Sequence, residues 1–242
     1  MTSNGPATVA LTVLVILTGC GDKRDLYERA DEIFTAAHLL KPAEHADEDA
    51  IRLAPLLMLE AGDESGIADP AGAPTVYYER SDVEIDGRTF EQWIYLWSYP
   101  GSSGESPAQG IRMTLQADGF PAIFEVLRDS SGAQPVFVST TLENEAAERL
   151  GSPLPGRRFS IEPSVQDAPR VVVPGVLEPG PMPLGPFVYV TEKTNDVATV
   201  ICRCMPSQVE SVIESSEYQL EPLGESPEGF DRGQVLLRSP MD

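Results

Sequence analysis

The residues Thr75–Glu84, TVYYERSDVE, and Arg88–Trp97, RTFEQWIYLW, decide how this chain is read. Both runs are rich in aromatic and β-branched residues, which fit the half-buried surface of a pleated strand. Asp86-Gly87 between them favours the positive φ angles of a tight hairpin turn. Alternation places Phe90, Tyr95 and, one residue off strict register, Trp93 on the surface facing the rest of the sheet.

Downstream, the same signals repeat. Ile111–Gln116 and Ala122–Leu127 read as a second hairpin around Ala117-Asp118-Gly119, and Pro135–Val138 as a further strand. Thr140, with Glu143 three residues on, forms a capping box that starts a helix over Leu142–Leu150, ended by Gly151. Gly151–Pro186 is the proline-richest part and carries two expected strands, Arg158–Glu162 and Arg170–Val173. Phe187–Glu192 and Val197–Cys204 flank a turn at Lys193–Asp196. Pro206 and a Ser207/Glu210 capping box start a helix through about Glu217, with Val209, Val212 and Ile213 on one face. Tyr218–Leu223 and Gln234–Arg238 read as closing strands.

Upstream, Leu26, Ala30, Ile33, Phe34, Ala37 and Leu40 recur at three- and four-residue steps, so Asp25–Leu40 reads as an amphipathic helix stopped by Pro42. An acidic patch, Glu44–Asp49, precedes the apolar segment Ile51–Leu59, in which Pro55 argues against an uninterrupted helix or a central strand. Gly62–Pro74 and Pro100–Gly110 read as loops. Hairpin-length strands with about three helices predict an α+β fold with a largely antiparallel sheet.

The 242 residues hold 38 acids and 17 bases, a formal net charge of −21. Such a surface is repelled by phosphate backbones, so nucleic acid is not an expected partner. Hydrophobic residues make up 41% of the chain, enough for a core, while 22 prolines and 20 glycines predict short elements joined by many turns.

Val9–Cys20 is an apolar run too short to span a bilayer, which needs about 20 such residues. It ends in Leu17-Thr18-Gly19-Cys20, followed by the abrupt polar switch Gly21-Asp22-Lys23-Arg24. This stretch resembles the lipobox of bacterial lipoproteins. The resemblance implies cleavage between Gly19 and Cys20, lipid on the Cys20 thiol and acylation of the new amine. More than one chain is what stable anchoring requires. Residues 1–19 would then be a signal peptide, 20–24 a tether, and 25–242 a single α+β domain with a possible subdivision near 151–186. The expected address is the cell envelope, on a membrane surface facing the periplasm or exterior.

With Cys20 assigned to lipid, Cys202 and Cys204 remain. In a strand their side chains share a face with Ala198 and Val200, opposite Thr199, Ile201 and Arg203. Two thiols below an Ala–Val stripe read as buried small hydrophobes. A disulfide between them stretches the permitted Cα separation of about 6.8 Å and needs a bulge or turn. As a third reading, they and Met205 offer soft ligands suited to Cu(I), whereas a structural zinc site usually needs four ligands. His38 and His45 are the only histidines; His38 lies beside the apolar stripe and reads as a helix-edge residue. A serine-type triad would need one of them, and no Gly-x-Ser-x-Gly motif is present. Asp63, Glu64 and Asp69 lack the spacing of an EF-hand loop. No phosphate-cradling loop and no cofactor motif is found.

The chain therefore reads as a lipid-anchored envelope protein with a non-catalytic binding, assembly or envelope-maintenance role. Its expected partners are the membrane, through the lipid, and an envelope protein of unknown identity. The alternatives are a thiol redox or metal-handling protein using Cys202 and Cys204, and a hydrolase using two carboxylates.

Overall fold

The computed structural model describes residues 37–43, 47–60, 73–85, 87–98, 108–130, 134–150, 171–192, 194–203 and 215–225. Within them the chain forms β1 (His38–Pro42), α1 (Glu48–Leu53), β2 (Leu56–Leu59), β3 (Thr75–Ile85), β4 (Arg88–Ser98), β5 (Ala108–Leu115) and β6 (Pro121–Val126). It continues with β7 (Gln134–Ser139), α2 (Thr140–Leu150), β8 (Val171–Val172), β9 (Val176–Leu177), β10 (Phe187–Val190), β11 (Val197–Ile201), β12 (Ser215–Pro222) and a 3-10 turn at Leu223–Glu225.

All twelve strands belong to one sheet, in the order β11-β10-β2-β1-β12-β3-β4-β5-β6-β7-β8, with β9 also on β7. Of the described residues, strand accounts for 57% and helix for 13%, and the sheet curls into a nearly closed barrel-like form. This overturns the α+β expectation with three helices. Nor is the sheet largely hairpin-built: β1 with β12, β2 with β10, β12 with β3, and β7 with both β8 and β9 run parallel.

The physical reason lies in short apolar runs, which cannot by themselves separate helix from strand. His38–Leu40, expected as the end of a helix, instead open β1, which pairs with β12, where Ser215–Glu217 were expected to end another helix. The remainder of both expected helices, and the strands Arg158–Glu162 and Gln234–Arg238, lie outside the described residues.

Where turn chemistry guided the reading, the elements match. β3 and β4 pair from Val76↔Trp97 to Ile85↔Arg88, and Gly87 takes φ 72°, the left-handed conformation that the tight turn demands. β5 and β6 pair around the second turn, where Asp118 Oδ1 accepts from the Phe120 amide at 3.1 Å. α2 starts where expected, but Ser139 caps it, its hydroxyl accepting from the Leu142 amide at 3.3 Å. The Thr140 hydroxyl donates elsewhere, to Glu178 and the Leu177 carbonyl.

Pleating decides what fills the concave face. Trp93, Tyr95 and Trp97 of β4 point inward together, correcting the expected register: Phe90 lies on the convex side, opposite Val83. With them in one core cluster are Ile111 and Met113 of β5, Phe124 of β6, Phe137 of β7, Val188 of β10, Val200 of β11 and Tyr218 of β12. A flat sheet this wide would hold its end strands roughly 50 Å apart at about 4.8 Å per strand. Side chains from β11 and β7 can share one core only because the sheet bends round.

α1 stands inside this curl. Asp47 caps it by accepting from the Asp49 and Ala50 amides at 3.0 and 3.1 Å, and Ala50 and Leu53 join the core. Pro55 then turns the chain into β2, so the broken apolar run becomes a helix and a strand. Two buried tyrosines fasten this plug. Tyr95 Oη donates to the Ala50 carbonyl at 2.8 Å, and Tyr218 Oη donates to the Pro55 carbonyl at 2.8 Å. Gly185 passes over the C-terminal end of α1, its amide donating to the Arg52 carbonyl at 3.0 Å. A Cβ there would press on the carbonyl oxygens of Leu53 and Ala54.

Burial pushes both tyrosine hydroxyls well above the usual phenol range. A raised phenol pKa means that the folded state keeps its protons after the unfolded chain has lost them. Stability should hold up to about pH 10 and then fall by about 1.4 kcal/mol per pH unit for each tyrosine. Urea denaturation between pH 8 and 11 measures this slope. Tyr95→Phe and Tyr218→Phe should each remove one tyrosine's share of it while lowering stability at pH 8 by about 1 kcal/mol.

Candidate functional site

Three places gather chemistry-bearing side chains, and the sequence reading had singled out only one of them. Cys202 follows β11 directly. The strand carries a bulge: Val190 pairs with Val197 and Tyr189 with Thr199, leaving Ala198 as the extra residue. A bulge sets two successive side chains on one side. Ala198 therefore joins the convex cluster with Ile201, while Val197, Val200 and Cys202 face the core. The expected Ala198–Val200–Cys202 stripe is corrected in its first member.

Half-buried Cys202 lines a small concavity with Phe120, Pro121, Phe124, Met182, Leu184 and Arg203. Its volume is about 10 Å3, the size of one water centre. A thiol among phenylalanine, methionine and leucine packs as a small apolar group. Cys204, Met205, Gly19, Cys20, His45, Asp63, Glu64 and Asp69 lie outside the described residues. His38 sits on β1, a strand rather than a helix edge, with Nε2 at 2.7 Å from the Ser216 hydroxyl. No group of three or more metal-ligating residues occurs among the described residues.

The second place is the seam where the curled sheet nearly meets itself. Asn195, at φ 54°, bends the β10–β11 turn so that Asp196 reaches the loop after β6. There Asp196 accepts from Ser130 twice, from the amide at 2.8 Å and from the hydroxyl at 2.5 Å. Gln109 of β5 spans the same gap, its Nε2 donating to the Arg128 carbonyl at 2.8 Å and the Asn195 carbonyl at 3.3 Å. These bonds tie the turn between β10 and β11 to β5 and to the loop after β6 through side chains instead of a backbone ladder. Asp196 is buried, so its carboxylate serves to hold the seam.

The third is an ion pair on the convex face of β5 and β6. Arg112 and Glu125 are register partners, with Nη1 3.6 Å from Oε2, and both side chains are almost wholly buried. Gln134 Nε2 approaches Glu125 Oε1 at 3.5 Å, and Gln92 donates to the Thr114 hydroxyl at 2.9 Å farther along the same face. The signal for this pair was present in the sequence. Ile111-Arg112-Met113 and Phe124-Glu125-Val126 each carry one charge within an apolar strand, and the turn at Ala117–Gly119 sets them opposite. The seam had no such signal, because Ser130 and Asp196 are 66 residues apart.

The second and third arrangements place their polar groups in bonds that hold the sheet. Burying two charges repays its desolvation only while both are present. Glu125→Leu alone should therefore cost about 3–5 kcal/mol in urea denaturation, whereas Glu125→Leu with Arg112→Met should return to within about 1 kcal/mol of the parent. Equal losses in the single and double variants would show that the two side chains are not coupled.

Comparison with protein-family models, with curated proteins and with solved structures finds no match.

Proposed function

We propose that this protein is a lipid-anchored component of the cell envelope whose β-rich body binds or assembles with another envelope component and does not catalyse a reaction. One observation carries the second half of this reading. The concave side of the sheet, where a small barrel holds a ligand when it has one, is filled by Trp93, Tyr95, Trp97, Phe124, Phe137 and Tyr218, none more than 2% exposed. α1 adds Ala50 and Leu53 to the same packing. Contact with a partner then falls to the outer surface.

Support for the anchor comes from Leu17-Thr18-Gly19-Cys20 at the end of an apolar run of signal-peptide length. The net charge of −21 argues against nucleic acid and leaves the lipid as the means of staying at a membrane.

Intact mass of the detergent-extracted protein, alongside a Cys20→Ala variant, tests the anchor. The parent should begin at Cys20 and carry acyl mass that the variant lacks. A parent chain that starts at Met1 without modification would remove the envelope assignment.

A further inference from the structure

The β3–β4 hairpin extends past the rest of the sheet. β12 pairs with β3 only from Thr75 to Tyr78, ending at Pro222, which has no amide to continue the ladder. On the other side, β5 covers β4 only from Gln92 onward. Residues 79–85 and 88–91 therefore pair only with each other among the described residues. Among the described residues, this edge of β3 has no strand beside it for about 23 Å at roughly 3.3 Å per residue.

Its two faces differ. One carries half-buried Val83, Ile85 and Phe90, which belong to no core cluster, with Val83 opposite Phe90. The other carries Arg80, Asp82, Glu84 and Glu91. Arg80 is already engaged, 5.7 Å from the Trp93 ring and 2.9 Å from Glu91. Glu91 also accepts from Trp93 Nε1 at 2.5 Å. Asp82 and Glu84 are exposed, and Asp82 stands directly across from Glu91. Like charges opposed across two strands destabilise the pair.

We propose that this edge takes up an extended segment of a partner protein in which Lys or Arg alternates with apolar residues. Adding a strand satisfies the open backbone groups. The two-residue period of that segment sets its cations beside Asp82 and Glu84 and its apolar side chains beside Val83 and Ile85. A second copy of this chain fits poorly, since pairing β3 with β3 brings acidic residues together within a molecule of net charge −21. The proposal rests on the binding role above and gives it a partner class, but it does not depend on the lipid.

Hydrogen exchange of the full chain in detergent tests it, using acetyl-Lys-Val-Lys-Val-Lys-Val-Lys-amide and a block peptide of four lysines followed by three valines. The alternating peptide should slow the β3 amides of 79–85 that point away from β4 by about tenfold, a change of about 1.4 kcal/mol. Exchange in β4 93–97 should not change, and the block peptide should have no such effect. Glu84→Pro, which removes an amide on the side of β3 away from β4, should abolish the protection while 93–97 stays slow, which shows the fold intact. Asp82→Lys with Glu84→Lys should weaken peptide binding about tenfold or more. Equal protection by the block peptide would reduce the effect to charge alone and overturn the proposal. So would protection confined to another strand, or edge amides already slow without peptide. A mature protein without acyl mass would remove the anchor and leave this result standing.

Discussion

A sheet that buries its concave face must have that space filled, and here β4 supplies three of the largest buried side chains that fill it. Trp93, Tyr95 and Trp97 stand in succession on the inward side, each buried, with the Trp93 and Tyr95 rings stacked at a centroid distance of 6.2 Å. Large rings on one strand leave a gap towards the opposite wall that aliphatic side chains alone cannot close. α1 closes it. The helix is only six residues long and could not persist alone. It holds because Ala50 and Leu53 pack on the rings and because Tyr95 and Tyr218 donate to carbonyls at its centre and exit. The tyrosines thus act twice, as apolar volume and as the hydrogen-bond partners that a plug in a dry interior needs.

That dependence explains which parts of the fold were legible. Hairpins were, because Asp86-Gly87 and Ala117-Asp118-Gly119 state both a turn and a register within a few residues. The wall built from β1, β2, β10 and β12 was not. Its parallel pairings join His38–Pro42 to Ser215–Tyr218 and Leu56–Leu59 to Phe187–Val190, and no local signal links segments so far apart. Leu39 and Leu40 look alike in a helical stripe and in a strand. Only the neighbours brought by the rest of the chain decide between the two, and those neighbours favour the ladder. The Ala198 bulge is a third case, since a single extra residue reverses the faces of everything before it.

The polar chemistry was legible in the same uneven way. Arg112 and Glu125 announce themselves as charges inside apolar strands, and the hairpin sets them opposite. Asp196 looks like any turn aspartate until the curl of the sheet brings Ser130 to it. Its role follows from where the ladder fails. Backbone pairing ends at β11 on one side and at β8 and β9 on the other. A curled sheet with two such edges either opens or joins them by other means. Here the bonds among Asp196, Ser130 and Gln109 tie the β11 end of the sheet to β5 and to the loop after β6.

Charge then bears on how such a body would sit at a membrane. With a net charge of −21, it is pushed away from anionic headgroups over about one Debye length, roughly 8 Å at physiological salt. Acyl chains on Cys20 would act against that push only at the end of the tether. In the proposed anchored protein the two effects together would hold the domain near the surface without its lying on it. A ribbon reaching beyond its own sheet is open to a partner in that position, whereas on a body flattened against lipid it would compete with the headgroups for the same space. Acidity and anchoring, which oppose each other energetically, would act together in presentation: one sets the distance from the membrane, the other keeps that distance short.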